Sequence, residues 1–309
     1  MSSLLAQLGL GLVIYVVLTL FLYTLSLLIP VAGFGARLLA AYASLLVCAS
    51  AGVVSSACLH IVGYPRISQW FVARCFKHLM RYTTGLTFIV DDPQDYLNQT
   101  RPAIFIGNHQ TELDVLMLAC IFPKWCSVTA KRSLLKVPFL GWFMRLSGTV
   151  FIDRTNPLNA RQAMAGAATE IQRHRQSVYM FPEGTRSYAR DPILLPFKKG
   201  AFHLAVQAQV PLVPVVVANY SHLLDPSALI FRAGRIPIKG SAPLVLPPIE
   251  TKNLTTADVD ALTRQTHELM RIELESLTCK ARGLPIPMSS PQSDDRELVM
   301  AISGTNATR

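Results

Sequence analysis

The segment AIFIGNHQTELDVLMLACI, residues 103–121, decides the fold of this chain. It opens with an apolar run at 103–106, passes through the polar stretch NHQTELD, and closes with a second apolar run at 115–121. The first run predicts a buried strand, and the second has the pattern of a helix. The polar residues therefore lie at a strand-to-helix junction, which is where α/β proteins place their ligands.

The same alternation continues along residues 63–280. Further strands are predicted at 86–90, 127–130, 150–152, 178–181 and 212–218, with helices at 158–174 and 197–209. An extended segment at 242–246 and a helix at 256–277 complete this body. The pattern predicts an α/β fold, a mostly parallel sheet flanked by helices on both faces. Residues that directly follow different strands are then expected to share the carboxyl edge of the sheet.

Residues 1–62 predict a hydrophobic two-helix membrane hairpin in front of this body. Residues 4–29 and 38–62 are uncharged apolar runs, and each exceeds the roughly 20 residues that a helix needs to cross a bilayer. A secretory signal fits poorly, because no basic segment precedes the first run. A spanning hairpin and one that dips into a single leaflet are both open. The Pro-, Ser- and Asp-rich residues 281–309 predict a disordered tail.

The basic residues give the hairpin an orientation. Only Arg37 lies in the predicted link between the apolar runs, whereas Arg66, Arg74, Lys77 and Arg81 follow the second run. This asymmetry places the body in the cytoplasm. The six cysteines show no CxxC spacing, which agrees with a reducing compartment and indicates neither a disulfide framework nor a zinc site.

The formal net charge of +10 indicates an anionic partner. The cations form no arginine-rich run, so nucleic acid is not expected, and anionic lipid or phosphorylated substrates fit a membrane-attached chain better. A helix predicted at 68–82 carries Arg74, Lys77 and Arg81 on one side, with Trp70 nearby. This helix suits either the lipid headgroup level or the surface of the body.

His109 and Asp114 form the first candidate site. They stand five positions apart, so they meet only where His109 precedes the helix and Asp114 lies in its first turn. We expect Thr111 to cap the helix and Asp114 to occupy its third position. A carboxylate that binds one imidazole nitrogen leaves the other to take a hydroxyl proton. The simpler alternatives are an acid that stabilises the helix N-terminus and a loop histidine without a chemical role.

The segment FPEGTRS, residues 181–187, follows another predicted strand and forms the second candidate site. Gly184 permits a tight turn, and the forked Arg186 guanidinium suits phosphate oxygens, although a solvated arginine is the simpler alternative. Lys131 and Arg154 follow two further strands and are expected at the same edge as phosphate ligands, where an isolated cation is otherwise solvated.

Two further features have two interpretations each. Glu183 is expected to hold the turn or Arg186, and a role as a second base is the alternative. The apolar stretch VPFLGWFM, residues 137–144, is either core or the lining of a channel for an acyl chain.

These motifs together resemble the glycerolipid acyltransferases, in particular the 1-acyl-sn-glycerol-3-phosphate acyltransferases. HX4D alone is a weak signal, but several blocks in this order and spacing are specific. The N-terminal hairpin makes the layout most similar to fungal enzymes of the endoplasmic reticulum. The similarity covers residues 65–250 and includes HX4D at 109–114, KRSLLKVP at 131–138, GTVFIDR at 148–154, FPEGTRS at 181–187 and VPLVP at 210–214.

The resemblance implies transfer of an acyl group from acyl-CoA to the sn-2 hydroxyl of lysophosphatidate, which gives phosphatidate and CoA. It implies His109 as the general base and Asp114 as its orienting partner. Acyl-CoA is then a co-substrate, no metal or other cofactor is expected, and the catalytic domain faces the cytosol at the endoplasmic reticulum membrane. Substrate binding is implied at Lys131, Arg154, Glu183, Gly184, Thr185 and Arg186.

The sequence leaves three alternatives open. In the first alternative, the acyl acceptor is glycerol-3-phosphate or another lysophospholipid. The second is a metal-dependent lipid hydrolase that uses His109, Glu112, Asp114 and Glu183. The third is a noncatalytic lipid-binding membrane protein, whose function would survive substitution of His109.

Overall fold

The computed structural model describes residues 2–152, 157–240 and 248–285. A seven-stranded sheet in the order β1-β9-β6-β2-β5-β3-β4 forms its centre, and the five strands from β6 to β4 run parallel to one another. The α/β prediction is therefore confirmed. The strands are β1 (Leu86–Asp91), β2 (Ile104–Gly107), β3 (Cys126–Lys131), β4 (Val150–Ile152), β5 (Ser177–Met180), β6 (Leu212–Val217) and β9 (Gly234–Gly240).

The sequence pattern missed β9, which runs antiparallel to β6 and parallel to β1. Its residues GRIPIKG alternate only weakly and contain a proline, which argues against a strand. A small separate hairpin, β7 (Leu224–Asp225) and β8 (Ile230–Phe231), precedes β9 and was also missed.

Helices cover both faces of the sheet. One face of β2 buries Phe105 against the cluster that includes α3 and α5, and the other buries Ile104 and Ile106 against α7, α8 and α9. Both faces of the central strands are therefore buried, which agrees with their continuous apolar sequences. The helices are α1 (Ser2–Leu25), α2 (Pro30–Ile61), α3 (Ser68–Thr84), α4 (Tyr96–Gln99), α5 (Asp114–Ile121), α6 (Leu140–Leu146), α7 (Pro157–His174), α8 (Gly200–Ala208) and α9 (Val259–Arg282).

The hairpin link is shorter than predicted. Helix α2 begins at Pro30, a residue suited to the first helical turn, so Arg37 lies inside the helix and not in a link. Its guanidinium donates to the backbone oxygens of Thr84, at the end of α3, and of Phe231. Carbonyls at a helix C-terminus lack intrahelical donors and carry partial negative charge, which explains why the arginine lies there.

Helix α2 lies antiparallel along α3. Arg37 contacts the end of α3, and the Ser44 hydroxyl is 3.1 Å from that of Thr83. Farther along, Gly52 packs so closely on the Phe143 ring that an added Cβ would lie 2.7 Å from it. Helices α1 and α2 are long and apolar enough to cross a membrane, and most of the α1 side chains that the structure describes are exposed.

Helix α3 matches the predicted helix at 68–82 to within two residues, but its basic face is only partly free. Arg74 donates to the backbone oxygens of Ala119, Cys120 and Phe122 and so caps α5 at its C-terminus. Its guanidinium carbon also lies 5.7 Å from the centre of the Trp70 ring. Arg74 is therefore a structural residue.

Several predictions fall on residues outside the described ranges. These are the extended segment at 242–246, Arg154, and the tail beyond residue 285. The last helix continues to Arg282, five residues beyond its predicted end, and therefore includes the first two residues assigned to the tail.

Candidate active site

The NHQTELD stretch leaves β2 at the carboxyl edge of the sheet and turns into α5, as predicted. The cap differs from the prediction, because α5 begins at Asp114 itself, preceded by Leu113 without a side-chain cap. Thr111 instead closes a turn before the helix. Its Oγ1 accepts a bond from the Leu113 amide at 3.1 Å, and its carbonyl accepts one from Asp114 at 3.2 Å.

The predicted dyad is formed. Asp114 Oδ2 lies 2.7 Å from His109 Nδ1 and also accepts the Gln110 amide at 2.6 Å. Asp114 is buried, whereas the His109 side chain keeps 19% of its surface exposed. With the carboxylate charged, Nδ1 carries the imidazole proton and Nε2 keeps a free lone pair. That is the arrangement of a general base and its orienting acid.

Tyr220 is a third member of this group that the sequence reasoning missed. Its hydroxyl donates to Asp114 Oδ1 at 2.8 Å, and it accepts from the Thr111 amide at 3.2 Å and the Thr111 hydroxyl at 2.9 Å. Burial, and then the charge of Asp114, hold the pKa of Tyr220 well above its usual range, so the phenol stays protonated. The sequence feature that could have identified Tyr220 is its position, three residues after β6.

Glu183 fixes the backbone of the base. Its Oε1 accepts the His109 amide at 2.6 Å, and its Oε2 accepts the Leu195 amide at 3.0 Å. Burial raises the pKa of Glu183 from 4.5 to about 7; the two backbone donors lower it, and the charge of Asp114 raises it. The Phe181 ring stacks on the imidazole, with ring centroids 4.0 Å apart. Glu183 thus holds the turn, as expected, and is not among the residues that line the cavity described below.

Arg186 lies in an exposed cluster that the sequence reasoning also missed. Its Nη1 donates to Glu112 Oε1 at 2.8 Å and to the Tyr188 hydroxyl at 3.2 Å, and that hydroxyl lies 2.5 Å from the same Glu112 oxygen. Among the described residues, none accepts a bond from its Nε or Nη2. The guanidinium therefore keeps one edge for a two-point contact with phosphate oxygens.

Gly184 shows the backbone conformation that its residue type permits. Its φ is +71°, in the left-handed region, and an added Cβ would lie 3.0 Å from Lys198 Cδ. The turn also pairs with the dyad loop, since the Ser187 amide donates to the His109 carbonyl at 3.0 Å. The two predicted motifs therefore form one rigid unit.

A cavity of about 640 Å³ adjoins this unit. It extends along β3 from Lys131, at the catalytic edge, past Val128 to Gln69 of α3. His109, Gly184, Thr185 and Arg186 line it together with Lys131. The other lining residues are mainly apolar side chains of α2, α3, α5 and α6, including Leu45, Val72, Leu118 and Phe143.

The structure thus brings together most of the predicted site. His109, Lys131, Gly184, Thr185 and Arg186 line the cavity; Asp114 and Glu183 support His109, and Arg154 lies outside the described residues. Neither interpretation of the apolar stretch at 137–144, as core or as channel lining, covers all of its residues. Its residues Leu140, Phe143 and Met144 line the cavity, and only Gly141 and Met144 are buried. Val137, Phe139 and Trp142 are exposed.

Comparison with known proteins shows where this site belongs. The Acyltransferase family pattern matches residues 89–218. The 1-acyl-sn-glycerol-3-phosphate acyltransferase of Saccharomyces cerevisiae is 41% identical over 223 residues, which cover 72% of this chain and 71% of that protein. The human 1-acyl-sn-glycerol-3-phosphate acyltransferase beta is 39% identical over 219 residues, or 71% of this chain and 76% of that protein.

The chain belongs to the 1-acyl-sn-glycerol-3-phosphate acyltransferase family. It is therefore an acyltransferase, and the predicted resemblance is confirmed. The crystal structure of the 1-acyl-sn-glycerophosphate (LPA) acyltransferase PlsC from Thermotoga maritima shares the fold, with a TM-score of 0.54 over 83% of this chain and 95% of that one, at 21% identity. The two apolar helices and this membership together indicate membrane association.

Proposed function

We propose that this acyltransferase moves an acyl group from acyl-CoA to the sn-2 hydroxyl of lysophosphatidate, giving phosphatidate and CoA. One observation carries the proposal. The His109–Asp114 dyad opens onto a cavity that offers cations at the catalytic edge and apolar walls elsewhere. A lysophospholipid combines the same two chemistries, an anionic head and an apolar chain. A cavity of about 640 Å³ is also within the usual range for a small-molecule site.

The chemistry follows from the hydrogen bonds. His109 Nε2 takes the proton of the sn-2 hydroxyl as its oxygen attacks the thioester carbonyl. The imidazolium that forms is stabilised by Asp114, whose charge is kept in place by Tyr220. When the tetrahedral intermediate collapses, the C–S bond breaks and the thiolate of CoA receives that proton. The thioester is already activated, so alignment and proton transfer supply the catalysis.

The phosphate is assigned to the cations at the catalytic edge. Arg186 offers its free Nε and Nη2 edge, and Lys131 at the end of β3 adds a second positive charge. A charged hydrogen bond of this type is worth about 1.5–3 kcal/mol. Thr185 and Gly184 then line the pocket beside the glycerol.

The location is part of the same proposal. We place the hairpin in one leaflet of the endoplasmic reticulum membrane, with the catalytic domain on the cytosolic side. The packing of α2 supports this choice over a spanning hairpin. Helix α2 contacts α3 from Arg37 onward, so a spanning α2 would carry the cations of α3 into the bilayer core, at several kcal/mol each.

The test is a panel of acceptors with purified protein and acyl-CoA: lysophosphatidate, glycerol-3-phosphate and lysophosphatidylcholine. We expect lysophosphatidate to have the highest kcat/KM and the His109→Ala variant to lose activity. Preference for another acceptor would replace the proposed substrate. Release of free fatty acid that EDTA abolishes would instead support the hydrolase alternative; no group of three potential metal ligands occurs in the described parts of the chain.

A further inference from the structure

An exposed apolar face continues the surface of the hairpin at α6. Four side chains of the segment 137–146 are exposed although they are apolar: Val137 (41%), Phe139 (40%), Trp142 (53%) and Leu146 (37%). We call this set the α6 face. None of the four lines the cavity, so the proposed reaction does not use them. Exposed aromatic residues grouped in this way mark a contact surface.

The α6 face is held rigidly against the hairpin. The Phe143 ring, on the inner side of α6, packs on Gly52 of α2. At the start of α6, an added Cβ on Gly141 would lie 2.4 Å from the Leu135 carbonyl oxygen, so the preceding 3₁₀ turn (Arg132–Lys136) fits tightly against the helix. The Phe139 and Trp142 rings meet edge to face at 5.1 Å. The face is therefore preformed and continuous with the apolar surface of α2.

Cations border the α6 face without acidic partners. Arg132, Lys136 and Arg145 are exposed, and within the described ranges no residue forms an ion pair or hydrogen bond with their side chains. Residues 115–152 contain no Asp or Glu. Exposed aromatics bordered by unpaired cations are the composition of a surface that binds the interface of an anionic membrane.

We propose that the α6 face is a second membrane contact, which inserts into the leaflet that holds the hairpin and brings the cavity to the lipid surface. The occupant is an anionic bilayer, because the face continues the hairpin and its border is cationic. Leu140 and Phe143 of the same segment, with Leu134 of the preceding 3₁₀ turn, line the cavity, so a lysophospholipid reaches it from the leaflet without passing through water. The route of the lysophospholipid and the choice of leaflet rest on the proposed function; the membrane contact itself does not.

Tryptophan fluorescence tests the contact independently of catalysis. The full chain has three tryptophans, Trp70, Trp125 and Trp142. It is reconstituted in vesicles of phosphatidylserine and phosphatidylcholine whose acyl chains carry bromine, a quencher that acts at short range. We expect most of the quenching to disappear in Trp142→Phe and to survive in the matched control Trp125→Phe. Unchanged quenching in Trp142→Phe overturns the proposal. The proposal is also overturned if a second copy of the chain shields Trp142, which would be detected as a particle size of the protein that depends on its concentration.

Enzyme activity supplies the second arm. The double variant Phe139→Ser/Trp142→Ser is expected to lose about tenfold in kcat/KM for long-chain lysophosphatidate in vesicles, since each aromatic side chain that inserts into the membrane buries a large apolar area. Its kcat/KM for a short-chain, monomeric lysophosphatidate is expected to stay unchanged. Equal loss on both substrates overturns the role in lipid entry. An inactive wild type would refute the proposed function while the quenching result stands by itself.

Discussion

Replacing Asp114 by Asn tests the dyad while preserving its shape. Asp114 accepts three hydrogen bonds, from His109 Nδ1, the Gln110 amide and the Tyr220 hydroxyl, all within 2.8 Å. The amide oxygen of Asn matches the first two donors, and its NH₂ group faces Tyr220, whose hydroxyl can rotate. The imidazole tautomer is therefore retained, and the main loss is the negative charge that stabilises the imidazolium.

The expected loss in kcat follows from the contact between Asp114 and the His109 imidazolium. A hydrogen bond to a charged partner is worth up to about 3 kcal/mol, which corresponds to roughly a hundredfold in kcat. The KM for lysophosphatidate should change little, because Asp114 does not line the cavity. Initial rates of phosphatidate formation from labelled lysophosphatidate in mixed micelles measure both parameters. The melting temperature of the variant serves as the control for folding. A folded variant whose kcat stays within about threefold of the wild type would refute the role of the dyad.

Three further predictions concern the groups around the dyad. Tyr220→Phe should lower the free energy of unfolding by about 1–3 kcal/mol, because the buried Thr111 amide loses its acceptor and Asp114 Oδ1 loses its donor; an unchanged denaturation midpoint contradicts this. Arg186→Ala should reduce kcat/KM for lysophosphatidate by about tenfold, mainly through KM, and should spare an acceptor without phosphate; an equal loss on both acceptors removes it from the phosphate site. Glu183→Gln should abolish a pH dependence of stability that the wild type shows between about pH 4.5 and 7.

The sign of the Glu183 effect is fixed by the direction of its pKa shift. The folded protein keeps the proton up to about pH 7, whereas the unfolded chain releases it near 4.5. Stability is thus fully present below the unfolded value and is lost as the pH rises, by about 3 kcal/mol over this window. Melting temperatures of both proteins across the window measure it. A wild-type curve parallel to that of the variant would show that Glu183 is ionised at low pH.

Local sequence patterns predicted the parts of the site that depend on strand ends. His109 and the 181–187 turn each follow a parallel strand, and Lys131 ends one, so the carboxyl edge of the sheet brings them together. The short spacing between His109 and Asp114 also limited their geometry to one arrangement. These are consequences of topology and of chain connectivity, which the sequence shows directly.

Contacts between distant segments had no comparable signal. Tyr220 reaches Asp114 across 106 positions, and Arg74 caps α5 from another helix, although its place on the wheel fitted either a cation at the lipid headgroups or one on the surface of the body. The proline in β9 weakened the strand pattern there. The Glu112–Arg186 pair depends on where two exposed side chains meet. Such partners follow from the tertiary packing and not from local periodicity.

The central claim is that lysophosphatidate binds with its phosphate at Arg186 and its free hydroxyl at His109. A structure of the wild-type protein with lysophosphatidate and no acyl donor tests this most directly. We expect phosphate oxygens on the free Nε and Nη2 edge of Arg186 and the sn-2 oxygen within about 3.2 Å of His109 Nε2. A lipid whose phosphate lies elsewhere, with its hydroxyl out of hydrogen-bond reach of the imidazole, would contradict it.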